Sequence, residues 1–190
     1  MRKLIAGMKV SLDGRTEGAE GIADWVDAWS EEYGLMDRVD TCVLGGAMYP
    51  GYEEYWTSFQ TDPDKPNALS GRMATAGEIT WADFAARTPH HVLSRSLTSA
   101  AWPKTQFLRS LDDVDGLKRS SGKDIYLMGG ARVTSSIIDA GLLDELHLIV
   151  YPLIAGKGSP LFTTLERRGL ELRGVEQIPG DRVSMVYAVR

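Results

Sequence analysis

Two consecutive glycines, Gly129 and Gly130, follow an apolar run and precede a helical pattern. Glycine has no Cβ atom to keep a ligand away from the backbone, and the first turn of a helix offers free N–H groups and a partial positive charge. A phosphate group could use both features. The pattern therefore predicts a phosphate site at this turn, although a tight strand-to-helix turn that binds nothing has the same local sequence.

Three further turns follow predicted strands and could serve the same ligand. They are Asp13-Gly14 after the first strand, Gly45-Gly46 after the second and Ser94-Arg95 after the third. The carboxyl ends of parallel strands meet at one edge of a sheet, so a ligand could lie across all of them. The arginine adds a guanidinium that suits phosphate. Each segment is also typical of a plain turn or a solvated loop.

Hydrophobic periodicity predicts the elements that position these turns. Apolar runs predict strands over residues 4–12, 39–44, 91–94, 105–108, 125–128 and 146–151. Helical spacing predicts helices over residues 22–33, after Pro50, around 80–84, and over 112–119 and 131–140. Alternating segments at 170–177 and 182–189 predict a closing hairpin. This order predicts an α/β fold with a mostly parallel sheet, flanking helices and antiparallel strands at one edge.

The composition narrows the classes of function. The 190 residues are expected to form one domain over residues 1–190, and the net charge of −5 argues against nucleic acid or an anionic membrane as a partner. The single cysteine, Cys42, cannot form an internal disulfide. The N-terminal apolar stretch is too short for a signal peptide or a membrane span, so we expect a cytoplasmic enzyme. His90, His91 and His147 lack metal-ligand spacing, and no metal is predicted.

Three segments in order resemble the dihydrofolate reductase superfamily, and most closely its branch that contains the riboflavin-biosynthesis reductase domain. They are residues 128–131, 140–146 and 151–162, and residues 11–14 match the same branch at the expected place. The resemblance covers nearly the whole chain. It implies a mostly parallel sheet of about eight strands, NADPH as the hydride donor and a homodimer.

The resemblance also implies which residues hold the cofactor. The pyrophosphate would lie at Met128, Gly129, Gly130, Ala131, Arg132 and Val133, the adenosine half at Leu93, Ser94 and Arg95, and the nicotinamide beside Ala6, Asp13 and Gly14. The turn of Gly45, Gly46, Ala47 and Met48 belongs to the same site, but family members usually carry an arginine or lysine there. Either Arg95 and Arg132 supply the positive charge instead, or the preference for NADPH over NADH is weaker.

Hydride transfer to a C=N or C=O carbon also needs a proton at the neighbouring heteroatom, which a carboxylic acid can supply. In folate reductases this acid lies early in the first helix, and the matching stretch offers Asp24 and Asp27. The predicted helical stripe turns both aspartates away from the core, and Asp24 would also suit an N-cap. Asp27 is the predicted proton donor, although the riboflavin branch does not require a folate-type acid.

The resemblance implies an NADPH-dependent reductase of a small heterocyclic substrate, similar to the 5-amino-6-(5-phosphoribosylamino)uracil reductase of riboflavin biosynthesis. Three alternatives stay open, since a fold does not determine a substrate. One is a pterin reductase of the dihydrofolate reductase type, and another is a reductase of a small ketone. The third is a non-catalytic nucleotide-binding protein that keeps the fold.

Overall fold

The computed structural model describes residues 1–67, 69–164 and 166–190. Its strands are β1 (Leu4–Ser11), β2 (Val39–Gly45), β3 (His90–Leu93), β4 (Thr105–Leu108), β5 (Asp124–Leu127), β6 (Glu145–Tyr151), β7 (Leu170–Ile178) and β8 (Arg182–Val189). Its helices are α1 (Tyr49–Thr61), α2 (Ala76–Arg87), α3 (Leu111–Arg119) and α4 (Ala131–Asp139). None of the helices in these ranges is long and apolar enough to cross a membrane.

All eight strands belong to one sheet, in the order β4-β3-β2-β5-β1-β6-β8-β7. The first six are parallel to one another, and β8 runs antiparallel to both β6 and β7. The predicted fold class and closing hairpin are therefore confirmed. The parallel arrangement brings the carboxyl ends of six strands to one edge, which is where the glycine turns lie.

The core lies on both faces of this sheet, because successive side chains of a strand point to opposite faces. In β1, Leu4 and Ala6 belong to the cluster that also contains the buried residues of α3 and α4. Ile5 points the other way, into the aromatic cluster formed with α1 and α2. The helices thus cover the sheet on both sides.

Helices α2, α3 and α4 differ in how their first turns are capped. Thr75 and Ser110 form capping boxes at the starts of α2 and α3. Helix α4 instead begins at Gly130, and no side chain there accepts a hydrogen bond from its first turn. Its free N–H groups are consequently available to another acceptor.

The predicted helix over residues 22–33 is wrong, because this segment is an irregular connection between β1 and β2. Val26 is buried, as the helical stripe requires. Two other members of the stripe, Ile22 and Trp29, are 64% and 46% exposed. The spacing of apolar residues therefore does not correspond to a single buried face.

The physical reason for the irregular backbone is the buried ammonium group of Lys9. Its Nζ donates to the carbonyl oxygen of Ala28 at 2.7 Å and to that of Ser30 at 3.3 Å. In an α-helix those carbonyls would accept from N–H groups four residues further along. The N–H of Trp29 likewise donates to buried Glu78 rather than to a helical carbonyl. An unmet buried charge costs several kcal/mol, so these contacts outweigh local helix formation.

Candidate functional site

A cleft of about 1160 Å³ opens at the carboxyl edge of the sheet. One wall consists of the turns after β2 and β5 together with the start of α4. The other wall consists of the irregular segment before β2 and aromatic side chains of α1, α2 and β5. The predicted residues that line it are Gly45, Gly46, Ala47, Met48, Leu93, Met128, Gly129, Gly130, Ala131, Arg132 and Val133.

Gly129 and Gly130 both line this cleft, but a side chain would meet different surroundings at each position. A Cβ atom on Gly129 would lie 2.0 Å from Cγ1 of Val133, so this glycine lets the first turn of α4 pack onto the end of β5. A Cβ atom on Gly130 would meet nothing within 4 Å. Gly130 is exposed at the start of α4 and leaves the helix N-terminus open to a ligand.

The turn after β2 is packed closely against the end of β3. The N–H of Gly46 donates to the carbonyl of Leu93 at 3.0 Å. A Cβ atom on Gly46 would lie 2.5 Å from both Cβ and Oγ of Ser94. Gly46 therefore permits the two strand ends to meet, and this places Ser94 directly behind the cleft wall.

Two arginines predicted to contact phosphate, Arg95 and Arg132, are exposed. Within the described ranges neither guanidinium forms an ion pair or a hydrogen bond with another residue, whereas nearby Arg109 donates to the carbonyls of Ser94 and Leu97. Arg132 lines the cleft, and Arg95 lies in the loop just beyond it. Both charges are thus available for an anion.

The turn at Asp13 and Gly14 lies beside the cleft and joins two loops. The Asp13 carboxylate accepts from the hydroxyl of Ser11 and from the N–H groups of Ala155 and Gly156, and these bonds lower its pKa to about 2. Neither Asp13 nor Gly14 lines the cleft. Ala6, also predicted to contact the cofactor, is fully buried in β1, and the next residues of that strand line the cleft instead.

The opposite wall is aromatic. Tyr33 and Tyr126 pack edge to face, with ring centroids 6.2 Å apart. Both rings lie against Gly7 of β1, where an added Cβ atom would be 2.7 Å from the Tyr126 hydroxyl and 2.8 Å from Tyr33. Burial raises the pKa of both tyrosines, so they stay neutral hydroxyls at ordinary pH. Trp81 and Tyr52 extend this wall.

Two buried ionic networks hold the irregular segment in place. Lys9 forms an ion pair with Glu32, which also accepts from Arg182 at 2.9 Å. Burial lowers the pKa of Lys9, and the Glu32 carboxylate opposes that shift. Burial would raise the pKa of Glu32, but the two cations outweigh it and the pKa is lowered.

The second network is centred on Glu78, which is fully buried in the first turn of α2. It accepts two hydrogen bonds from Arg72, at 2.6 and 2.8 Å, one from the Tyr55 hydroxyl at 2.9 Å and one from the N–H of Trp29 at 3.0 Å. Burial raises the pKa of Glu78, but these donors and the N–H of Thr75 outweigh burial and hold it at about 2.

The predicted proton donors do not lie in the cleft. Asp24 and Asp27 are exposed and neither lines the cleft, because the segment that carries them is not helical. Between residues 22 and 35 the acidic side chain in the cleft is Glu31, and Glu17, nearer to β1, also lines it. No sequence pattern distinguished Glu31 from Glu32, since only the fold decides which of two adjacent carboxylates meets Lys9. Among the described residues, no group of three or more His, Cys, Asp or Glu could hold a metal ion.

Comparison with known proteins identifies the family. The family model described as the RibD C-terminal domain matches residues 2–184. The chain belongs to this family. It is also similar to uncharacterized protein YyaP of Bacillus subtilis strain 168, with 27% identity over 98% of this chain and 94% of that protein.

Two solved structures from other bacteria share this fold. A putative riboflavin biosynthesis protein from Shewanella sp. PV-4 has a TM-score of 0.70 and 20% identity, with 99% of each chain covered. A deaminase/5-amino-6-(5-phosphoribosylamino)uracil reductase from Thermotoga maritima has a TM-score of 0.66 and 16% identity. This chain is covered completely in that second comparison and spans 57% of the Thermotoga chain. At these identities the likeness concerns the fold.

Proposed function

We propose that this RibD C-terminal domain protein is an NADPH-dependent reductase of a small heterocyclic substrate, organised as one reductase unit over residues 1–190. The observation that carries the proposal is the open start of α4, where Gly130 and the uncapped N–H groups face a large cleft with an aromatic opposite wall. Membership of a reductase-type family supports it further.

The residues on the glycine side fit a dinucleotide. The first turn of α4 would hold the pyrophosphate, because a helix N-terminus favours negative charge and Gly130 leaves room for it. Arg132 and Arg95 have no partners elsewhere in the described ranges and would neutralise the phosphates. When bound, NADPH would supply the hydride. NADPH is the proposed cofactor because two unpaired arginines suit its additional phosphate.

The residues on the opposite side fit a flat heterocycle. Tyr33 lines this side, with the buried rings of Tyr126 and Trp81 at the bottom of the wall, and an aromatic wall suits a pyrimidine or a related ring. A folate-type acid at Asp24 or Asp27 is disfavoured by their position outside the cleft. Membership of the RibD C-terminal domain family makes a pyrimidine reductase of the riboflavin type the preferred reaction class over a pterin reductase.

The substitution Gly130→Asp tests the cofactor site, because it should move stability and binding in opposite directions. Aspartate is a favourable N-cap and complements the helix dipole, so we expect the stability of the protein to be kept or raised by a few tenths of a kcal/mol. Its charge would repel a phosphate at the same place. We expect NADPH affinity, measured by quenching of tryptophan fluorescence, to fall at least about tenfold.

The matched control is Gly130→Ser, which caps the helix without adding charge and should weaken binding much less. NADPH affinity unchanged in Gly130→Asp would contradict the proposed site, and absence of NADPH binding by the wild-type protein would contradict the proposed cofactor. Turnover is tested by following NADPH absorbance with amino-pyrimidine substrates. Binding without turnover on any such heterocycle would favour the non-catalytic alternative.

A further inference from the structure

Two adjacent carboxylates in the irregular segment have opposite surroundings. Glu32 forms ion pairs with Lys9 and Arg182, so its charge is neutralised within the protein. Glu31 forms no ion pair with any residue in the described ranges, and it lines the cleft. A carboxylate without a counter-cation in an aromatic cleft is available to a ligand.

The Glu31 side chain is held in a defined position. Its Oε1 atom accepts from the N–H of Tyr33 at 2.6 Å and from the N–H of Leu35 at 3.1 Å. Its Oε2 atom has no hydrogen-bond partner among the described residues. Because the backbone fixes one oxygen, little side-chain entropy remains to be lost when the other oxygen binds a ligand.

The surroundings of Glu31 explain why this free oxygen suits an N–H donor. Two titratable side chains on the cleft wall, Tyr33 and Tyr126, are neutral phenols whose pKa values are raised by burial and further by the charge of Glu31. Lys9, the lysine on this wall, already forms an ion pair with Glu32 and donates to two backbone carbonyl groups. The local potential is thus negative, which favours a ligand with polarised N–H groups and opposes an anionic one.

We propose that Glu31 determines substrate specificity on this wall by accepting, through Oε2, a hydrogen bond from a ring N–H or amino group of the heterocycle that packs against Tyr33 and Tyr126. The inference rests on the proposed reductase function and adds the substrate class. The substrate carries an N–H donor on the edge that faces Glu31, and any phosphate on it lies elsewhere in the cleft.

The experiment compares Glu31→Gln with the wild-type protein. Glutamine keeps an oxygen for the N–H groups of Tyr33 and Leu35 but removes the charge. The probe is 2,4-diaminopyrimidine, titrated calorimetrically in the absence of NADPH, with unsubstituted pyrimidine as the comparison ring that lacks amino groups. Hydrogen bonds to charged groups are among the stronger ones, so we expect Glu31→Gln to weaken diaminopyrimidine binding by about tenfold or more and to leave pyrimidine binding nearly unchanged.

The matched control is Asp27→Asn, which removes the same charge from the same segment outside the cleft. It should leave the affinity for both rings as in the wild-type protein. Equal losses in Asp27→Asn and Glu31→Gln, or no loss in Glu31→Gln, would overturn the inference. If Glu31→Gln does not fold, the wild-type protein still tests the inference. A wild-type protein that binds diaminopyrimidine no more tightly than pyrimidine would overturn it.

These results are separate from those for the proposed function. NADPH titration of Glu31→Gln should give the wild-type affinity, because Glu31 lies on the wall opposite Gly130. A protein that binds NADPH but shows no preference for diaminopyrimidine would contradict the role of Glu31 alone. A protein that binds diaminopyrimidine through Glu31 but does not bind NADPH would contradict the reductase proposal alone.

Discussion

The two walls of the cleft are built by different physical means. On the glycine side, strand β5 leads directly into α4, and the backbone hydrogen bonds belong to regular elements. On the aromatic side, residues 22–35 form no regular element, and their backbone groups bond to the side chains of Lys9, Glu31 and Glu78. One wall is stable through local structure, while the other depends on buried charges from distant parts of the chain.

This difference predicts where the molecule is most sensitive to substitution. A regular element tolerates a change unless the new side chain clashes with its neighbours. An irregular segment loses several hydrogen bonds together when a single buried charge is removed. We therefore expect the largest losses of stability on the aromatic wall and the largest losses of cofactor affinity on the glycine wall.

The substitution Lys9→Met should have the largest effect on stability. It leaves the carbonyls of Ala28 and Ser30 without their donor and removes one of the two cations that pair with Glu32. We expect the free energy of unfolding to fall by about 4 kcal/mol in urea denaturation. Lys3→Met is the control, since the Lys3 side chain is 55% exposed and its ion pair should contribute less than about 1 kcal/mol. Similar losses in both variants would refute the special role of Lys9.

The substitution Glu78→Gln should lower stability by about 2 kcal/mol at neutral pH, because Arg72 loses its charged partner. The pKa of Glu78 is about 2, below its ordinary value of 4.5, so its contribution is present above about pH 4.5 and is lost as the pH falls towards 2. The difference between the wild-type protein and Glu78→Gln should therefore shrink between about pH 5 and pH 3. Denaturation curves across that range measure it, and a constant difference would contradict the assignment.

On the glycine wall, Gly129→Ala and Gly130→Ala should differ although the residues are adjacent. The added methyl group at Gly129 meets Val133, whose branched side chain has little rotamer freedom in a helix, so we expect a loss of about 1 to 2 kcal/mol. The same methyl group at Gly130 meets no atom within 4 Å and should have a small effect. Thermal unfolding compares the two variants, and partial rescue of Gly129→Ala by Val133→Ala would identify the clash.

The smallest effects on stability should come from Arg95→Gln and Arg132→Gln. Both side chains are exposed and unpaired within the described ranges, so their replacement should change the free energy of unfolding by less than about 0.5 kcal/mol. Each should weaken NADPH binding by about fivefold, less at high salt because the contact is electrostatic. Titrations with NADPH and NADH at two salt concentrations measure this. Unchanged NADPH affinity in both variants would show that neither arginine binds the cofactor.

Much of the fold could be predicted from the sequence, because most elements have their own local signal. The period of the apolar residues predicted β1, β2 and the hairpin of β7 and β8 within a few residues of their observed ends. The same criterion failed over residues 22–33, where Ile22, Val26 and Trp29 have helical spacing but do not share a buried face. The spacing reflects only residues within the segment. The conformation of the segment depends instead on the Lys9 ammonium group, which lies outside it.

The sequence by itself determined the family, the succession of the strands along the chain and the position of the glycine turns, because each depends on residues close together in the chain. Only the tertiary structure decided the aromatic wall. It showed that Gly129 serves packing while Gly130 opens the helix, and that Glu31, rather than Asp27, lies in the cleft. The physical reason is long-range: Lys9 and Glu78 must find partners once they are buried, and those partners shape the segment that carries Glu31.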